Sequence, residues 1–104
     1  MSLNIWLTAI VETEDVKKNI THNLKAMWIE AGVYEALYKS EGKRAKEVLP
    51  MLREGLAQMH NRPLYFKQFN SPNGWGTYDN AVKWLSDLVV EFQKYPEGII
   101  EVSR

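Results

Sequence analysis

Two stretches with strand character sit at opposite ends of this chain, and the segments between them are patterned mainly as helix. Residues 4–13 are rich in Ile, Trp, Thr and Val. They set Ile5, Leu7, Ala9 and Val11 on one face against Trp6, Thr8, Ile10 and Glu12 on the other. Both faces are largely apolar, which places this strand under helices rather than against water. Residues 99–103 alternate Ile99, Glu101 and Ser103 against Ile100 and Val102, the pattern of a closing strand. Two strands are unstable alone, so these two are expected to pair and to bury a face against the helices. The pattern leaves both parallel and antiparallel pairing open.

Thr13 or Asp15 is the expected cap of a first long helix that runs to about residue 31 and ends at Gly32. Its stripe of Val16, Ile20, Leu24, Met27, Trp28 and Ala31 lies within about a third of the circumference at roughly 100° per residue. Residues 33–38 suggest one or two further turns, and the polar, aperiodic stretch 39–44 reads as a loop. A second long helix is expected from about 46 to 59, with Pro50 in its first turn and Val48, Leu52, Gly55, Leu56 and Met59 facing inward. Glycine on that face costs about 1 kcal/mol against alanine, which implies close approach of a neighbouring helix or a bulky ring in the gap. Residues 63–69 read as a short helical turn. Thr77 then caps a third long helix to about residue 95, with Ala81, Val82, Leu85, Leu88, Val89 and Phe92 inside, Trp84 and Tyr95 flanking, and Pro96 and Gly98 as the stop. The expected fold is α+β in the order β-α-α-α-β: three long helices packed on a two-stranded sheet made by the N- and C-terminal strands. One domain over residues 1–104 suits a chain of 104 residues without repeat, linker or low-complexity segment.

Charge and cysteine content remove several functions. Thirteen basic residues balance thirteen acidic ones, so phosphate-driven nucleic-acid binding is not favoured, while zero net charge leaves homo-oligomerisation open. Without cysteine there is no disulfide framework, no thiolate zinc site and no thiol catalysis. No apolar run approaches the roughly 20 residues that span a bilayer, and no secretion signal is evident. A cytoplasmic protein without membrane contact is expected.

The segment 70–78 concentrates Asn70, Asn73, Gly74, Trp75, Gly76, Thr77 and Tyr78. On a functional reading Trp75 and Tyr78 offer stacking faces and Asn73 reads polar groups. On the structural reading the segment is a rigid corner, with Trp75 plugging the core against Gly55 and the asparagines closing turns. Asn- and Gly-rich turns before a capped helix are common local structure, which favours the corner. The segment has no lysine, so it is not a P-loop, and it does not follow a strand as a dinucleotide fingerprint would.

On the expected first helix, His22 shares a row with Asn19, Ala26 and Ile29. That row is sparsely charged, which fits cover by another segment such as 63–78, or contact with a partner. A general base needs a nucleophile and an orienting acid, and no spacing supplies either, so a structural role for His22 is favoured. His60 is distant in sequence and no His-x-x-x-His pattern or carboxylate pair occurs, so no metal site and no cofactor are expected. Lys39, Lys43, Arg44 and Lys46 form a basic cluster that reads as a solvated face.

Three stretches carry a resemblance: Asn19-Ile20-Thr21-His22-Asn23-Leu24 with Ala31-Gly32-Val33-Tyr34-Glu35, then Phe69-Asn70 through Asn73-Gly74-Trp75-Gly76-Thr77-Tyr78, and Ile100-Glu101-Val102-Ser103-Arg104. In this order the chain resembles a family of small uncharacterised proteins encoded by tailed bacteriophages and prophages. The stretch 38–44 departs from that family's pattern, where a tryptophan and a proline are frequent. The resemblance implies a phage source and action in the bacterial host, without a mechanism. It groups Asn19, His22 and Asn23 with residues 73–78 as a candidate binding surface. The leading expectation is a non-enzymatic accessory protein that binds a protein partner. The alternative is a small enzyme or ligand-binding protein with a cleft around His22, Asn19 and Asn73. Nucleic-acid binding through the 39–46 cluster is the third reading.

Overall fold

Leu3, Ile5 and Leu7 are buried, and the residues between them, Ser2, Asn4, Trp6 and Thr8, are half-exposed. This alternation defines β1 (Ser2–Thr8), whose one apolar face meets the helices while the other looks outward. The structure, a computed structural model, describes residues 2–8, 17–70, 74 and 76–104. β1 is the central strand. It pairs antiparallel with β2 (Lys17–Thr21) on one side and antiparallel with β3 (Ile99–Ser103) on the other. The expected pairing of the terminal strands is present, with Leu7 opposite Ile100 and Ile5 opposite Val102. The expectation that β1 lies under helices rather than facing water is corrected for one of its faces: Leu3, Ile5 and Leu7 are buried, while the other face is half-exposed. The part of the expected strand at residues 9–13 lies outside the described residues.

The third strand corrects the sequence reading most. Residues 17–21 do not begin the first helix; they form β2, followed by a 3₁₀ turn at His22–Leu24 and a short helix α1 (Lys25–Ala31). Thr21 has extended backbone (ψ 145°), and its Oγ1 accepts a hydrogen bond from the Asn23 amide at 3.2 Å, which starts the turn. Ile20 fitted the helical stripe because it also faces the core, opposite Leu3 across the sheet. The inner residues Leu24, Met27, Trp28 and Ala31 are all buried as expected, while Val16 lies outside the described residues.

Gly32 closes α1 at φ +80°, a backbone region that favours glycine, and α2 (Tyr34–Tyr38) follows. The polar stretch beyond it does more than connect. Gly42 N donates to Ile100 O and Ile100 N donates to Lys43 O, both at 2.8 Å, and Arg44 bridges Ile99. These bonds cover the outer edge of β3, where unpaired strand groups would otherwise face solvent.

The long helix α3 (Ala45–Asn61) begins one residue earlier than expected. Pro50 therefore falls in its second turn, and the ring sits on the exposed side, where water can reach the carbonyl that lacks its usual donor. At Gly55 a β-carbon would collide with Val33 Cγ1 and come within 2.9 Å of the Ala31 carbonyl oxygen. The close approach implied by that glycine is the crossing of the α1–α2 junction over α3. α4 (Pro63–Lys67) and α5 (Tyr78–Lys94) complete the helices, and α3 packs along α5. Among the described residues only α3 and α5 are long, at 17 residues each. The architecture is α+β with a three-stranded antiparallel sheet, in place of the expected two strands and three long helices. Trp28, Phe66 and Phe92 are the largest fully buried side chains, each removing roughly 150–250 Å² from water.

Candidate functional site

The segment after α4 is anchored before it reaches α5. Asn70 Oδ1 accepts from the Tyr78 amide at 2.7 Å, and Thr77 Oγ1 accepts from the Asn80 amide at 3.3 Å, so both side chains serve the free donors of the helix start. The Tyr78 hydroxyl donates to the Met59 carbonyl near the end of α3 at 2.7 Å. Burial pushes the Tyr78 phenol up from its ordinary value, with Asp79 adding to the shift. Tyr78 thus ties the end of α3 to the start of α5, and Asn70 ties the stretch after α4 to the same helix start. Asn73 and Trp75 lie outside the described residues.

Gly76 brings this segment to the His22 turn. Its φ is +110°, and a β-carbon there would press to 3.2 Å on Asn23 Cβ and Leu24 Cγ and to 3.3 Å on Thr21 Cγ2. The backbone at Gly76 therefore lies directly on residues 21–24. The expected cover of the Asn19, Ala26 and Ile29 row by the 63–78 region is not seen: all three are exposed, and Gly76 sits on the 21–24 turn instead.

Asn19 is on β2 rather than in a helical row with His22. Its Nδ2 donates to Ser2 Oγ at 2.8 Å and to Asn4 Oδ1 at 2.9 Å on the outward face of the sheet. Asn23 is exposed beside Gly76. Asn23 and Gly76 are brought together, with His22 next in the chain, while the side chain of Asn19 is bonded to β1.

His22 has a partner that sequence reasoning missed. Its Nδ1 lies 2.9 Å from the hydroxyl of Tyr38, a residue only 3% exposed, and the two rings are 5.6 Å apart. Tyr34 stacks on Tyr38 with centroids 4.7 Å apart and planes 15° from parallel. Lys25 Nζ stands 5.7 Å from the Tyr38 ring centre, and Lys39 Nζ stands 6.0 Å from that of Tyr34. Burial first, then the charges of Lys25, the amino terminus and Arg104, holds the His22 ring below its usual pKa. Burial, with Tyr34 next, pushes the Tyr38 phenol up to about 12. With the phenol as donor, Nδ1 accepts and the ring proton sits on Nε2. The i, i+4 spacing of Tyr34 and Tyr38 was a usable signal for the stack once α2 was accepted as helix. No local pattern announced Arg104.

The 39–46 cluster is partly neutralised. Arg44 and Lys46 both contact Glu97, at 2.6 and 2.7 Å. A separate shallow groove of about 290 Å³ is lined by Ile29, Gly32, Tyr34, Glu35 and Met51. Among the described residues no three metal-ligating side chains gather, and no helix is long and apolar enough to cross a membrane.

The fold and this surface define a small α+β protein that carries a basic, aromatic corner at one end of its sheet. In comparisons with known proteins, no family model, no curated protein and no solved structure matches the chain.

Proposed function

We propose that the protein is a phage or prophage accessory protein that acts in the bacterial host cytoplasm by binding a protein partner without catalysis. The surface offered to that partner is the turn 21–24 together with Gly76 and the residues 77–78 that follow it. The observation that carries this reading is the seating of Gly76 on Thr21, Asn23 and Leu24, which joins two distant sequence stretches into one face. The resemblance to phage-encoded proteins draws attention to the same two stretches. A cleft enzyme has less support. The Tyr38 hydroxyl is buried against His22, and the Asn19 amide is bonded to Ser2 and Asn4.

The test is capture of partners by tagged protein in host cells, comparing the wild type with His22→Ala and Trp75→Ala variants whose folding is verified by circular dichroism. Loss of the same captured protein in both variants is expected. Retention of every captured protein by both folded variants overturns the reading.

A further inference from the structure

Topology places three cationic or ionisable side chains at one end of the sheet. Ser2 of β1 pairs with Thr21 of β2, and Asn4 of β1 pairs with Ser103 of β3. His22 and Arg104 are the next residues after Thr21 and Ser103, so they leave the sheet on either side of the start of β1. The strands that carry them are two spacings apart, or about 10 Å. Lys25, in the first turn of α1, stands over the Tyr38 ring that holds His22.

Of the nearby carboxylates, Glu41 Oε1 accepts from the Val102 amide at 3.4 Å and Glu30 accepts from the Tyr65 hydroxyl at 2.7 Å, while Glu35 lines the separate groove and Glu101 of β3 stands opposite Trp6. Among the described residues, neither Lys25 nor Arg104 has a carboxylate within ion-pair distance.

We infer that the corner formed by His22, Lys25, Tyr38 and Arg104 receives the carboxylates of an acidic segment on the partner protein, an inference that rests on the partner-binding role proposed above. Charge complementarity selects the occupant. Two exposed cations and a half-exposed imidazole surround a buried phenol, and among the described residues no carboxylate is within ion-pair distance of Lys25 or Arg104. A polyphosphate backbone fits less well, because it needs a continuous basic track. The other basic cluster, at residues 39–46, has Arg44 and Lys46 tied to Glu97.

The imidazole gives the contact a pH dependence. The groups that act on it are Lys25 from α1, the amino terminus ahead of β1, Arg104 beyond β3, and Tyr38 backed by Tyr34 from α2. All but the tyrosines repel a proton on the ring. A bound carboxylate offsets that repulsion, so binding takes up a proton and strengthens as pH falls through the window in which the imidazole titrates. On protonation Nδ1–H donates to the Tyr38 oxygen, and the pair stays together with its polarity reversed.

A labelled oligoglutamate peptide is the probe, followed by ¹⁵N chemical-shift mapping and fluorescence anisotropy on the full chain at low salt. Shifts are expected at His22, Lys25, Tyr38 and Arg104, together with binding that tightens from pH 7.5 to 6. Lys25→Gln and Arg104→Gln are each expected to weaken binding roughly two- to fivefold. His22→Gln should bind the peptide at pH 7.5 and lose the gain at pH 6. Lys83→Gln, on the exposed side of α5, should bind like the wild type.

Unchanged binding by the folded Lys25→Gln and Arg104→Gln variants overturns the inference, as do shifts scattered over the surface lysines. Inorganic phosphate that fully displaces the peptide at equal charge concentration overturns the peptide assignment in favour of a free oxyanion. A short oligouridine RNA that binds the same residues more tightly overturns it in favour of nucleic acid. The probe needs no partner, so failure of the partner role shows separately, as unaltered capture by His22→Ala.

Discussion

The two ends of β3 carry the same kinds of side chain in opposite electrostatic states. At its start, Arg44 and Lys46 converge on Glu97, and their charges are partly cancelled. Beyond its end, Arg104 joins Lys25 and His22 with no carboxylate in contact among the described residues. The first corner is held by backbone as well: Ala45 N donates to Gly98 O and Lys46 N to Pro96 O, both at 2.9 Å. The second is held by side chains and by the seat of Gly76 on the 21–24 turn. A basic cluster visible in sequence is thus an incomplete guide to a binding surface, because one well-placed glutamate engages two of its four cations. The cluster that keeps its field was assembled from positions 22, 25 and 104 by the fold.

The largest expected effect comes from breaking the second corner at its support. Gly76→Ala places a side chain at φ +110° against three neighbours and should cost about 1–3 kcal/mol in urea unfolding. Chemical shifts should move at residues 21–25 and stay unchanged around Glu97. Next, Tyr38→Phe removes the hydroxyl that meets His22 and should cost about 1 kcal/mol in the same measurement. A loss confined to noise would show that the bond contributes nothing net.

Acid titration should separate the two ends by pH. The folded His22 pKa lies below its unfolded value of 6.5, so its contribution is complete above that value and is lost as pH falls from there through the folded value. At Glu97 the hydrogen bond from Lys46, with the charges of Lys46 and Arg44, holds the carboxyl below its ordinary 4.5. Its contribution is therefore present above 4.5 and is lost only as pH falls through the lower folded value. Stability should decline first through the His22 window and then through the Glu97 window. His22→Gln should flatten the first step and Glu97→Gln the second.

The smallest effect belongs to Glu97→Gln at neutral pH. The pair is solvent-exposed, so the melting temperature should hardly move. The variant should nevertheless release Arg44 and Lys46 and create a second site of oligoglutamate shifts at that end. Absence of new shifts there would mean that unpaired cations alone do not define such a site.

How far the sequence could be read depended on whether each element carries its own periodicity. The α5 stripe and its Thr77 cap were legible because seventeen consecutive residues repeat one pattern. The closing strand was legible from its alternation and from Pro96 and Gly98 before it. β2 was not, since five residues give too little alternation to outweigh an apolar stripe continuing into α1. That error placed Asn19 beside His22 on a helix, whereas it bonds across to Ser2 and Asn4. For the site, the sequence pointed to His22, Asn23 and the segment through Tyr78, but it offered no sign of Tyr38 or Arg104 as their neighbours.

By itself the sequence determined the α+β class, the two long inner faces, the absence of thiol chemistry and a glycine on α3 that demands close approach. These follow from local periodicity and residue type, which act over a few neighbours in the chain. Only the tertiary structure decided that β1 lies between two strands, that Val33 and Ala31 cross Gly55, and that His22, Lys25, Tyr38 and Arg104 share a corner. Strand register and ring packing depend on contacts between distant residues, and burial of the whole core selects among them at once.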